Sequence, residues 1–252
     1  MHLPSLLYRV YERRLQCEIE GSLLPQHVAV IVDGNRRWAR SFGASTEEGH
    51  RQGAAKISEF LTWCEGLGIP VVTVWLLSTD NLSRSPKELD ALFRIILGVV
   101  ERVHAAGYTV KLAGATDTLP CDVVTRLREL EESSAQGAAL TVNVAIGYGG
   151  RQEITDAVRS LLQAAQAEGK YIAQVANELT PDAIGQHLYT RGQPDPDLII
   201  RTSGEQRLSG FMMWQSVHSE FYFAETFWPE FRRVDFLRAL RDYTRRERRF
   251  GA

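Results

Sequence analysis

Cysteine is scarce in this 252-residue chain. Cys17, Cys64 and Cys121 stand too far apart to form a CxxC pair, which excludes that kind of zinc or redox site, and an odd, scattered count fits a reducing compartment. Long apolar runs are also lacking. No stretch approaches the ~18 consecutive apolar residues of a membrane-spanning helix, and the N-terminus has neither the apolar run nor the cleavage pattern of a signal peptide. The expected location is therefore the cytoplasm. There is no excess charge of either sign: 29 Lys and Arg against 31 Asp and Glu leave a net charge of −2. No global field argues for nucleic acid, and any anion site must be local. Nucleotide fingerprints are missing too, because no GxxxxGK[ST] occurs and Gly147-Tyr148-Gly149-Gly150 lacks GxGxxG spacing. The six histidines are scattered without metal-ligand spacing, and only His50 falls near the residues singled out below.

What the chain does have is a series of short apolar runs between helical patterns. HVAVIV at 27–32, VVTVWLL at 71–77, YTVKLAG at 108–114, LTVNVAI at 140–146, DLIIR at 197–201 and EFYFA at 220–224 read as six strands. Several are apolar at successive positions, which means burial on both faces and a mainly parallel sheet between helices. Ser85-Pro86-Lys87-Glu88 is a capping box with proline at the first helical position, starting a helix that stops at Gly107. Further helices are expected from about 54 to 66 or 68 and at about 120–135, 152–168, 181–190 and 233–249. An amphipathic helix is expected at 5–21, where Leu6, Leu7, Val10, Tyr11 and Leu15 sit beside Arg9, Arg13 and Arg14. Packing on the main domain is its ordinary role, and peripheral membrane contact is the alternative. The reading is an α/β protein with an N-terminal helical extension at 1–26 and one main domain at 27–252.

In an open parallel sheet the ligand crevice lies beyond the carboxyl ends of the strands. Two such ends carry chemistry. In HVAVIVDGNRRWAR a buried strand ends in Asp33, Gly34 and Asn35 before a basic turn that opens a helix. Free N–H groups at a helix start hold phosphate, and Asp33 could hold a hard cation bridging to it. The same residues also make an ordinary turn with Asp33 as a cap. In RTSGEQRLSG, Arg201 and Arg207 flank a Ser-Gly turn after another strand. Each guanidinium can donate two parallel hydrogen bonds to a diphosphate, beside the Ser203 and Ser209 hydroxyls. Solvated surface arginines are the alternative there.

From these residues the chain resembles the cis-prenyltransferase family of the undecaprenyl diphosphate synthase type, over residues 27 to 252. HVAVIVDGNRRWA is similar to its first block, the serine-rich turn at 78–84 to its second, and DLIIRTSGEQRLSGFMMWQSVHSEFYF to its last, while the terminal RERRFG resembles its RxG motif. The long N-terminal helix and the wording of the RTSGEQRLSG segment look most like the actinobacterial short-chain members. The resemblance implies an enzyme that joins isopentenyl diphosphate to an allylic prenyl diphosphate with Mg²⁺, working as a homodimer. It implies that Asp33 is the catalytic, metal-linked aspartate, with Glu220 completing the metal site. Gly34, Asn35, Arg36 and Arg37 would hold the allylic diphosphate, supported by Arg84, and Trp38 and His50 would also be substrate-binding. Arg201, Arg207 and Ser209 would bind the isopentenyl diphosphate. Ser78 and Asn81 would lie near the carbon that loses a proton, with a substrate diphosphate oxygen an equal candidate for the base. Arg249 and Gly251 would reach the partner subunit's isopentenyl site.

Several positions depart from the family pattern. Thr46 stands where many members have arginine, Asp80 where they have glutamate, Leu82 where they have tryptophan and Gln206 where they have histidine. Leu76 stands where long-chain members have a small residue, so the implied product is short, (2Z,6E)-farnesyl diphosphate from geranyl diphosphate. The alternatives are a longer-chain synthase and a non-catalytic diphosphate-binding module of the same fold.

Overall fold

The computed structural model describes residues 6–246; Arg249 and Gly251 lie outside the described residues. The apolar runs form six strands, β1 (His27–Ile31), β2 (Val71–Ser78), β3 (Thr109–Ala113), β4 (Thr141–Tyr148), β5 (Leu198–Arg201) and β6 (Glu220–Phe223). They pair in the order β3-β4-β2-β1-β5-β6, and every pairing is parallel. β1 and β5 are buried at every position, which is the condition that produces unbroken apolar runs in place of alternation.

The helices are α1 (Leu6–Ile19), α2 (Asn35–Ser41), α3 (Thr46–Gly66), α4 (Pro86–Ala105), α5 (Cys121–Glu132), α6 (Gly150–Ala167), α7 (Ile172–Glu178), α8 (Pro181–Gly185) and α9 (Arg233–Arg245). α4 starts as its capping box predicts, with Ser85 accepting from the Glu88 N–H. α3 begins eight residues earlier than expected because Ser45 caps it, accepting from Glu48 N at 3.1 Å. α7 was not expected at all, and α8 is shorter than the 181–190 pattern suggested. The larger core fills the face covered by α1, α3, α4, α5 and α9. A smaller cluster around Tyr148, Phe211 and Met212 fills the other. α1 packs against α9 with Leu15 and Ile19 buried, and Arg233 of α9 reaches Glu12 at 2.7 Å.

This order places a topological switch between β1 and β5. From β1 the chain builds outward through β2 on one side, then returns to lay β5 and β6 on the other. A crevice must open at the carboxyl ends of β1 and β5, because the loops leaving them diverge.

Candidate active site

A cavity of about 550 Å³ occupies that crevice, lined by residues from the exits of β1, β2 and β5 and from α2, α3 and α4. Asp33 stands two residues past the end of β1. Its Oδ2 accepts from Arg201 Nη2 at 2.9 Å, and its Oδ1 lies 3.4 Å from Arg37 Nη2. Burial alone would raise the Asp33 pKa, but the hydrogen bond and charge of Arg201, with Arg37 behind them, more than offset it and hold the carboxyl below its ordinary value. Asp33 is thus a charged carboxylate at neutral pH.

Gly34 turns the chain from strand to helix with φ of 104°, a left-handed conformation suited to glycine. A Cβ there would also meet Phe227 Cδ1 at 2.7 Å. Asn35 then opens α2, whose close approach to α3 depends on the absent side chains of Gly49 and Gly53; a Cβ at either would collide with Asn35. This contact presents Arg36, Arg37 and Arg40 to the cleft.

Two clusters of guanidiniums result. In the first, the nearly buried Arg201 donates to Asp33, to Ser209 Oγ at 2.9 Å and to the Arg207 carbonyl. Arg37 donates to Ser203 Oγ at 2.6 Å and to Glu205 Oε1 at 3.1 Å. Arg207 sits on the exposed rim, outside the cavity lining, with its guanidinium 2.6 Å from Glu205 Oε2. Ser203 and Ser209 hold positive φ of 77° and 52°, strained backbone of the kind that gathers at binding sites.

In the second cluster Glu88 Oε1 lies 3.1 Å from Arg84 and 3.9 Å from both Arg36 and His50. Arg84 also donates to Asn81 Oδ1 at 3.0 Å, and Asn81 N donates to Ser78 Oγ at 3.2 Å. Burial, assisted by the positive charge of Arg84, pushes the His50 pKa down to about 4. Its imidazole is neutral, and Nε2 is buried with no hydrogen-bond partner.

The apolar wall comes from β2. Trp75 pairs with Ala145 and Leu77 with Ile146, so Leu76 is an extra residue on β2. Such a bulge re-aims side chains, and Leu76 lines the cavity beside Trp75 and Leu92. Trp75 is itself stacked on Phe211 at 5.0 Å.

The structure thus gathers Asp33, Gly34, Asn35, Arg36, Arg37, His50, Leu76, Ser78, Asn81, Arg84, Arg201 and Ser209 around one cavity. Trp38 lies outside the lining, against Phe42. Glu220 begins β6 level with Leu198, toward the opposite end of the sheet from Asp33, and pairs with Arg246. Within one chain it does not meet Asp33. Arg40, Trp75 and Leu92 line the cavity without having been singled out, Asp80 lines it at a position noted only as a departure from the family pattern, and Glu88 and Glu205 organise its arginines. Glu88 is visible in the sequence only as part of a capping box. Thr46 opens α3 at an exposed position, while three arginines of α2 face the cleft.

A family model described as putative undecaprenyl diphosphate synthase matches residues 31–251. The chain belongs to the cis-prenyltransferase family. It is 58% identical over 246 residues to the (2Z,6E)-farnesyl diphosphate synthase of Thermobifida fusca, covering 97% of each chain. It is 55% identical to isoprenyl transferase 1 of Streptomyces avermitilis, over 99% of this chain and 98% of that one. Among solved structures, lavandulyl diphosphate synthase from Lavandula x intermedia in complex with dimethylallyl diphosphate superposes with a TM-score of 0.80. The two are 34% identical, and the match covers 91% of this chain and 99% of that chain. The member described here is therefore a prenyl-transferring enzyme on an α/β fold.

Proposed function

We propose that this cis-prenyltransferase condenses geranyl diphosphate with one isopentenyl diphosphate to (2Z,6E)-farnesyl diphosphate. The observation that carries the short-chain reading is the bulged Leu76 in the wall of the cavity, beside the diphosphate-binding arginines. A leucine there takes volume that an elongating hydrocarbon would need, and apolar walls absorb extra volume only with strain. The cavity volume also falls within the ~300–1,000 Å³ of sites built for one small ligand. The names of the relatives at 52–58% identity support the same reading.

Cleaving the allylic carbon–oxygen bond leaves a cation and a polyanion. Guanidiniums already held in place stabilise that charge as it develops, with little reorganisation at the moment of reaction. Arg36, Arg37 and Arg84 serve the allylic diphosphate; Arg201, Arg207 and Ser209 serve the isopentenyl diphosphate. Mg²⁺ fits the donors present: the ion is commonly held by one or two carboxylates plus substrate phosphates and water, and the cavity sets an ionised carboxylate among guanidiniums suited to phosphates. Asp33, kept ionised, is that carboxylate, and the ion would neutralise charge on the departing diphosphate. Ser78 and Asn81 are weak bases already engaged with each other and with Arg84, so a diphosphate oxygen takes the proton.

The working form we propose is a cytoplasmic homodimer. Supporting it, the edge strand β6 carries Phe221 and Phe223 stacked and half-exposed, and the segment that precedes it exposes Met213 and Val217. All three cysteines are free, and no described helix is long and apolar enough to cross a membrane. Incorporation of radiolabelled isopentenyl diphosphate in the presence of geranyl diphosphate and Mg²⁺ tests the reading; a folded dimer that incorporates no label would be a binding module instead.

A further inference from the structure

Asp33 stands beyond the reach of the sheet. The β1–β5 ladder ends with Ile31 opposite Arg201, so strand pairing does not fix the peptide of the residue two places later. A side chain does. The hydroxyl of Thr202 donates to the Asp33 carbonyl at 2.7 Å and accepts from the Asp33 N–H at 3.0 Å. It also lies 3.3 Å from the Ile31 carbonyl. Thr202 has no solvent exposure, so water does not substitute for these contacts.

We infer that Thr202 is a positioning residue for the reaction, its hydroxyl extending the β1–β5 ladder by one rung to hold Asp33. Consecutive residues of β5 and its exit then grip the aspartate from two sides. Arg201 takes the carboxylate at 2.9 Å, and Thr202 takes the peptide. The Trp228 N–H is a second donor to the Asp33 carbonyl at 3.0 Å, and the Asp33 N–H also donates to the Ile31 carbonyl at 2.9 Å, so loss of Thr202 loosens the aspartate without releasing it. A displacement of about 1 Å at a reacting group can cost about 10²-fold in rate, and such groups need support from neighbours that are themselves locked.

This inference rests on the role proposed for Asp33, so the test measures both. Thr202→Val keeps the shape and removes the hydroxyl; Thr202→Ser keeps the hydroxyl and removes a methyl. For Thr202→Val the expected result is a kcat lowered about 10- to 100-fold, KM for both diphosphates within about threefold, and recovery of most turnover in Thr202→Ser. In an Asp33→Ala background, Thr202→Val should lower the residual turnover no further, since nothing remains to be positioned. Wild-type kcat in Thr202→Val beside a crippled Asp33→Ala would overturn the inference and leave the role of Asp33 standing. Full turnover in Asp33→Ala would overturn both. Equal impairment of the Val and Ser variants would assign the effect to packing and remove the hydroxyl from the account. If Thr202→Val does not fold, Thr202→Ala compared with Thr202→Ser is read in the same way.

Discussion

Asp33 and Arg201, 168 residues apart in sequence, meet at 2.9 Å across the switch point of the sheet. Arg201 ends the buried strand β5 and Asp33 stands two residues past the end of the buried strand β1, and the fold makes the two strands neighbours. The proposed division of labour between carboxylate and guanidinium begins from that contact.

Asp33→Ala should fold and melt near the wild-type temperature while turnover falls by a factor on the order of 10³, because charge stabilisation at a transition state contributes several kcal/mol. Thermal melts and steady-state kinetics on the same preparation check this. Turnover within a few-fold of wild type in the folded variant would remove Asp33 from the mechanism.

Arg207 lies on the rim, tied to Glu205 and away from the cavity lining. Arg207→Ala should therefore raise the KM for isopentenyl diphosphate by about tenfold, as expected for a lost charge-assisted contact, and change the KM for geranyl diphosphate much less. Equal shifts for both substrates would undo the assignment of this arginine to one site.

Leu76→Ala enlarges the cavity wall where β2 bulges. With excess isopentenyl diphosphate the variant should release products longer than the wild-type product, seen by chromatography after dephosphorylation. An unchanged product would show that Leu76 does not limit chain length.

How much of this was readable in the chain depended on the kind of signal. The strands and the Asp33 and Arg201 turns were legible because parallel strands buried on both faces leave unbroken apolar runs, and polar residues then gather at their carboxyl ends. The start of α3 was not: the helix was expected from about 54, whereas it begins at Thr46 and runs through Gly49 and Gly53. They are there to let Asn35 approach. The bulge at Leu76 depends on the register against β4, which no single strand encodes. α7 escaped notice because it is a short element with Tyr171 and Ile172 exposed at its start. Glu88 and Glu205 each tie a nearby arginine, Arg84 or Arg207, to one distant in sequence, Arg36 or Arg37. These distant links, like the Thr202 hydrogen bond from side chain to backbone, join the site. Spacing does not show them.

Acid sensitivity offers a test of the core apart from the site. His27 is fully buried, its Nδ1 2.7 Å from the Pro194 carbonyl and its Nε2 2.7 Å from Thr73 Oγ1. Since a carbonyl only accepts, Nδ1 carries the proton and Nε2 accepts from the hydroxyl. Burial pushes the His27 pKa down to about 4 from 6.5, so between those values the unfolded chain binds a proton that the folded one refuses. Stability from this group is complete above pH 6.5 and falls as the pH drops toward 4, by about 3 kcal/mol in all. Denaturant titrations across that range should show a shallower pH dependence in His27→Gln than in the wild type. Parallel curves would mean that His27 is not the titrating group.

The most direct test of the account is the product of the wild-type enzyme given geranyl diphosphate, excess radiolabelled isopentenyl diphosphate and Mg²⁺. The account predicts one dominant labelled product that co-migrates, after dephosphorylation, with (2Z,6E)-farnesol and not with the all-E isomer. A ladder of long polyprenols, or the all-E alcohol, would contradict it.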